Sequence, residues 1–123
     1  MNCFAKFLAA RIASFRHALN GLGAAIRSEG NIRVHLLATI VVVALGFALG
    51  VSAAEWAALL GAMALVWMAE LFNTALETLC DIVRPELSDK VKRVKDIAAA
   101  AVLLSAVAAA IIGGLVFLPY IYK

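Results

Sequence analysis

Apolar and polar positions divide this chain into four blocks. From Phe4 to Ile26 apolar residues recur at steps of three and four: Phe4, Leu8, Ile12, Phe15, Leu19, Leu22 and Ile26. Lys6, Arg16, Asn20 and Arg27 lie largely off that stripe. The period predicts an amphipathic helix over about residues 4–28, within an N-terminal segment 1–30. Basic and placed before a long apolar run, it is expected to lie in a membrane interface, apolar face down. Gly21 and Gly23 predict a weak point or bend. Ser28-Glu29-Gly30-Asn31 reads as a break, with Gly30-Asn31 as its turn.

A first membrane span is then predicted over 32–51, followed by a tight connection. Ser52 and Glu55 have the spacing of a capping box and open a second helix over 53–83. Arg84-Pro85 ends it, because the residue before proline disfavours helical backbone. Residues 85–96 read as a polar connection with some helix over 89–95. A third span covers 97–119. Its stretch from Ile97 to Leu118 carries no charge, and it is long enough to cross a hydrocarbon core of about 30 Å. Its alanines and Gly113-Gly114 favour close helix packing.

Composition sharpens this picture. The chain has 123 residues, 65% hydrophobic and only 15% charged. A soluble core of that length cannot hide so much apolar side chain, so one membrane-embedded domain over 1–123 is expected. Cys3 and Cys80 lie far apart and read as free thiols. No cleavable leader is expected, since the first long apolar run starts only at Leu36, behind the basic stretch. Five Lys or Arg precede the apolar core of the first span at Leu36, none falls between spans one and two, five fall between spans two and three, and only Lys123 follows. The positive-inside rule then puts the N-terminus and the 81–96 loop in the cytoplasm and the C-terminus outside. These basic residues need no nucleic-acid explanation.

One feature breaks the apolar pattern. On the second helix Glu70, Asn73, Thr74, Glu77 and Asp81 fall on one side. A carboxylate stripe in a span is costly, and is kept where it pairs, binds a cation or does chemistry. With Glu55 at the outer interface, Glu70 lies about 22 Å deeper and Glu77 about 33 Å, at the inner interface. Glu29, Lys95 and Asp96 share that inner level by topology. Carboxylates and an amide are hard oxygen ligands suited to Mg²⁺, which commonly uses one or two carboxylates plus substrate phosphates. A lysine can meet a phosphate as a point charge. A carboxylate held away from water can act as a general base. These are parts for phosphoryl transfer at a membrane surface. Ion and proton pathways use intramembrane carboxylates too, so a non-catalytic membrane protein is the second reading. No Walker-type glycine loop occurs.

The run Glu70-x-x-Asn73-Thr74-Ala75-Leu76-Glu77-x-x-x-Asp81, then Lys95-Asp96 and an alanine-rich span, resembles the small bacterial diacylglycerol kinase family, which includes undecaprenol kinases. Asn20-Gly-Leu, Ser28-Glu29 and Asn31-x-Arg33-x-His35-Leu extend the resemblance to about residues 14–119. It implies an all-α membrane protein of three transmembrane helices and an interfacial N-terminal helix, assembled as a homotrimer with sites at subunit contacts. It implies ATP with Mg²⁺ as donor, a membrane lipid alcohol as acceptor, and the bacterial inner membrane as location. Glu70 is then the general base, Glu29 and Glu77 metal ligands, Asn73 a supporting residue, and Lys95 and Asp96 nucleotide-side residues. Two departures concern the nucleotide side: Glu86 is followed by Leu87-Ser88 where many relatives have Tyr-His, and Ile97 by Ala98–Ala101 where many have glycine or serine. The Ala69–Glu77 run and Asn31-x-Arg33-x-His35 lean towards the undecaprenol-kinase branch.

Several residues have plainer readings. Asp81 is a site candidate or an ion-pair partner of Arg84 or Lys95. His17 is a nucleotide-side candidate or an interfacial residue. His35, at a helix start, reads as interfacial. Trp56 reads as an outer-interface anchor, and Trp67 as packing or lipid contact.

Overall fold

The computed structural model describes residues 2–86 and 88–122. Met1, Lys123 and Leu87, the centre of the second-loop departure, lie outside the described residues. The described chain forms four helices: α1 (Cys3–Ser28), α2 (Gly30–Leu49), α3 (Ala53–Val83) and α4 (Asp89–Ile121). The last three are long and apolar enough to cross a membrane, with mean hydropathies of 2.2, 1.6 and 2.6. The lowest belongs to α3, which carries the carboxylate stripe.

Local chemistry explains the boundaries. Ser52 Oγ accepts from the Glu55 amide at 3.2 Å, and Glu55 Oε2 accepts from the Ser52 amide at 2.7 Å, completing the capping box of α3. Gly50 takes φ 64° and ψ 44°, the left-handed conformation that closes α2. Two boundaries differ from the sequence expectation. The break before α2 is a single extended residue, Glu29, and Gly30-Asn31 forms the first turn of α2 instead of a turn of its own. The polar segment 89–96 is not a separate connection, because α4 runs through it without interruption. Ser88 caps that end by accepting from the Val91 amide, Asp89 sits in the first turn, and Lys92 pairs with Asp96 one turn on. Those local preferences agree with helix, and they extend the span outward by two turns. α1 likewise runs unbroken through Gly21 and Gly23.

α3 and α4 form an antiparallel hairpin fastened at both ends. Tyr120 Oη donates to Glu55 Oε2 at 2.8 Å at the Ser52 end, and Lys95 Nζ donates to Asp81 Oδ1 at 2.6 Å at the Arg84 end. α2 packs antiparallel to α3. Near the Ser52 end Trp56 lies over Gly46 and meets Phe47, ring centroids 4.9 Å apart. Trp56 is therefore a packing residue joining the core of Val51, Leu59 and Val116. The outward faces stay apolar and uncovered, Phe47, Leu104 and Leu115 among them. The stripe of α1 is equally open at Phe4, Phe15 and Leu19, as a helix lying in an interface requires.

Candidate active site

The site is built on the Arg84 half of α3. Glu70 is 2% exposed and Asn73 9%, in a molecule whose other buried residues are mostly apolar. One turn further on, Glu77 is half-buried and accepts at Oε1 from Asn73 Nδ2 at 3.3 Å. This bond fixes the amide, leaving Asn73 Oδ1 buried with no hydrogen-bond donor. Glu70 Oε1 is also buried without one. Two sealed oxygen acceptors on one helix face are an uncommon cost, about 1–3 kcal/mol for each unsatisfied group. They mark a place where a cation or donor belongs.

The nearest positive candidate is on α2. His35 Nε2 lies 2.9 Å from Glu70 Oε1, an ion-pair approach in which the ring N–H is not aligned for a hydrogen bond. A second polar bridge sits one turn along the same helix pair. Trp67 Nε1 donates to Thr39 Oγ1 at 2.9 Å, and that hydroxyl donates to the His35 carbonyl at 2.8 Å. Beyond His35 and Thr39, an apolar cavity of ≈310 Å³ runs between α2, α3 and α4 as far as Leu45 and Phe117.

At the Arg84 end, Asp81 pairs with Lys95, and the carboxylate raises the lysine's pKa above its ordinary value. The hydrogen bond is the main cause, opposed by partial burial and aided by the charges of Asp81 and Glu77. Lys95 is thus the partner of Asp81 among the two, Arg84 and Lys95, that the sequence offered. Asp96 is on another face, exposed and paired with Lys92 at 2.6 Å. Glu29 occupies the α1–α2 break. Its backbone caps both helices, and its carboxylate makes no hydrogen bond or ion pair among the described residues. The end of α1 packs beside α3, with Ala25 across from Leu71 and Thr74, which brings Glu29 to the same end of the bundle as the stripe. His17 stands exposed on α1.

Thus one chain brings together Glu70, Asn73, Glu77, Asp81 and Lys95, and among the described residues no hydrogen bond or ion pair joins Glu29, Asp96 or His17 to them. Sequence reasoning passed over His35 as interfacial, although the Asn31-x-Arg33-x-His35 run had already singled it out. Among the described residues no cluster of three or more His, Cys, Asp and Glu side chains gathers as a metal cage. The donor set still suits Mg²⁺, because the orphaned atoms are hard oxygens and that ion needs only one or two protein carboxylates when phosphates supply the rest.

An all-helical bundle of three membrane-crossing helices with a buried carboxylate–amide stripe near one end defines a multi-pass membrane protein with an active-site-like polar face. The model of the prokaryotic diacylglycerol kinase family matches residues 16–117, and the chain belongs to that family. It is 38% identical over 109 residues to a diacylglycerol kinase of Synechocystis, covering 88% of this chain and 62% of that protein. It is 37% identical over 106 residues to an undecaprenol kinase of Bacillus subtilis, covering 86% of each. A diacylglycerol kinase of Haemophilus influenzae is 30% identical over 107 residues, covering 86% of this chain and 91% of that one. The chain thus spans less than two thirds of the Synechocystis relative's length and most of the other two.

Proposed function

We propose that this protein is an ATP-dependent lipid kinase of the bacterial inner membrane. It transfers the γ-phosphoryl group to the hydroxyl of diacylglycerol or undecaprenol, with undecaprenol favoured by the Ala69–Glu77 run. The observation that carries the reading is the buried pair of unsatisfied oxygens, Glu70 Oε1 and Asn73 Oδ1, on the face that leads to Glu77 and Lys95. Family membership supports it, since relatives named for both acceptors match at similar identity.

In this reading Glu70 takes the proton of the lipid hydroxyl as the hydroxyl oxygen bonds to the γ-phosphorus. The bond from that phosphorus to the β,γ-bridging oxygen breaks, and ADP leaves with the electron pair. Catalysis of this kind is mostly positioning and charge stabilisation. Asn73, held by Glu77, presents a fixed amide beside the base. Lys95 has three donors and can keep Asp81 while meeting a phosphate. Glu77 and Glu29 would hold the Mg²⁺ that comes with ATP, and the ion would supply neutralisation of the phosphate charge. Asp96 and His17 are assigned to the nucleotide side. The unpartnered carboxylate of Glu29 and the uncovered apolar faces support a homotrimer whose sites are completed between copies. The distribution of basic residues supports an N-terminus and an 81–96 loop in the cytoplasm and a C-terminus outside.

A competition assay tests this. Purified protein in mixed micelles receives labelled ATP, Mg²⁺ and equimolar undecaprenol and diacylglycerol. Labelled undecaprenyl phosphate as the main product is expected, and places the enzyme in lipid-carrier recycling. Phosphatidic acid as the main product moves the acceptor to diacylglycerol. No labelled lipid from folded protein removes the kinase reading and revives ion or proton handling by the stripe.

A further inference from the structure

Glu70 has a neighbour that the stripe does not supply. His35, in the second turn of α2, brings Nε2 within 2.9 Å of Glu70 Oε1. The two are the deepest ionisable groups in the bundle. α2 carries none from Leu36 to Leu49, α3 none between Glu55 and Glu70, and α4 none between Asp96 and Tyr120. On the other side of Glu70, α3 adds only the uncharged Asn73 and Thr74 as polar residues before Glu77. A lone carboxylate in such surroundings loses hydration that nothing apolar replaces, the penalty of any buried single ion. Among the described residues, the imidazole of His35 is the polar side chain from another helix that reaches this carboxylate.

The two partners are not equivalent. The Glu70 side chain is 3% exposed, while that of His35 keeps 22% and borders the apolar cavity. His35 therefore touches both the sealed oxygen of the carboxylate and the space that leads away through the bundle. Its own position is set by the bridge from Trp67 through Thr39 to the His35 carbonyl. Trp67 and Glu70 are one turn apart on α3, and Thr39 and His35 one turn apart on α2. The two cross-helix contacts hold the same register, so the ring cannot slide along α3 without breaking the indole hydrogen bond.

We propose that His35 is a positioning residue of the phosphoryl transfer. Its imidazole occupies Oε1 of Glu70, so that Oε2 is the oxygen presented to the lipid hydroxyl. The assignment rests on the kinase reading above. It adds a residue from α2 to a site otherwise built on α3 and the start of α4.

Two measurements test it. Wild-type turnover is established first, which decides the kinase reading by itself. His35→Ala then lowers kcat by about 10- to 100-fold, the usual range for losing a group that orients a reactive one, with KM for ATP within about twofold of wild type. His35→Gln, whose amide nitrogen reaches the place of Nε2, recovers part of that loss. An unchanged kcat in His35→Ala, a loss that appears in KM for ATP instead, or a glutamine variant no better than alanine overturns the proposal. The second measurement needs neither turnover nor a folded alanine variant. The chain has only two histidines, so ¹⁵N-histidine NMR of intact protein reads His35 beside His17. Glu70→Gln is expected to shift the ring nitrogens of His35 and leave those of the exposed His17 in place. A His35 signal that does not move overturns the pairing, whether or not the protein proves to be a kinase.

Discussion

The two ends of the α3–α4 hairpin use similar polar residues to opposite purpose. At the Ser52 end, Glu55 accepts from the Ser52 amide and from Tyr120, and the helix N-terminus beside it is capped. Trp56 fills the space that Gly46 leaves open. At the Arg84 end, Glu70 and Asn73 are buried more deeply than the half-buried Glu55, and each keeps an oxygen with no aligned hydrogen-bond donor. A carboxylate whose needs are met locally is a fastening. One whose sealed oxygen meets only an unaligned imidazole, beside an amide oxygen with no donor, is held ready for a reacting group. The contrast separates structural from chemical acid groups in a helix where both look alike in sequence.

Variants at the two ends should therefore separate turnover from stability. Glu70→Gln should have the largest effect, lowering phosphorylation by about 10³-fold or more while circular dichroism and melting temperature stay close to wild type. Turnover near the wild-type rate would remove Glu70 from the base role. Glu77→Gln should come next, raising the Mg²⁺ concentration for half-maximal rate by about tenfold or more. A metal titration that superimposes on wild type would count against ligation. At the other end, Gly46→Ala sets a Cβ 2.6 Å from Trp56 Cη2. Overpacking of this kind costs about 1–3 kcal/mol, so the melting temperature should fall while turnover per folded molecule holds. Lost turnover without lost stability would contradict the division.

Asp81→Asn should have the smallest effect, because Asp81 is exposed. Its carboxylate raises the lysine's pKa, so the pair's contribution is complete below the ordinary lysine value of 10.5 and is lost as pH rises through the raised one. Wild type and variant should differ slightly in stability at neutral pH and converge in strong alkali. Curves that diverge as pH rises would show that the pair is not what holds this corner.

The sequence revealed the helices, the three spans and the stripe because each depends on a period or a neighbour. Ser52 and Glu55 are three residues apart, Arg84 precedes a proline, and Glu70, Asn73 and Glu77 share a face by helical geometry alone. What stayed hidden depends on which helix meets which. His35 reads as interfacial until α2 is laid antiparallel on α3 and its ring arrives at Glu70. Trp56 reads as an anchor until Gly46 is opposite it. The length of α4 was underestimated for a different reason. Residues 89–96 are polar and read as a short helix over 89–95 set apart from the span, whereas Ser88, Asp89 and the Lys92–Asp96 spacing join both into one helix.

That continuity has a consequence for how the protein can vary. α4 is a single helix of 33 residues, about 50 Å long, so Lys95 and Asp96 are geared to the span beneath them. Adding one residue within 97–104 would swing Lys95 by about 100° around the axis and carry it off Asp81. Adding one among 85–88 would leave that phase untouched. The polar end of this protein can therefore change freely in the short link, while the helix beyond it tolerates insertions only in whole turns.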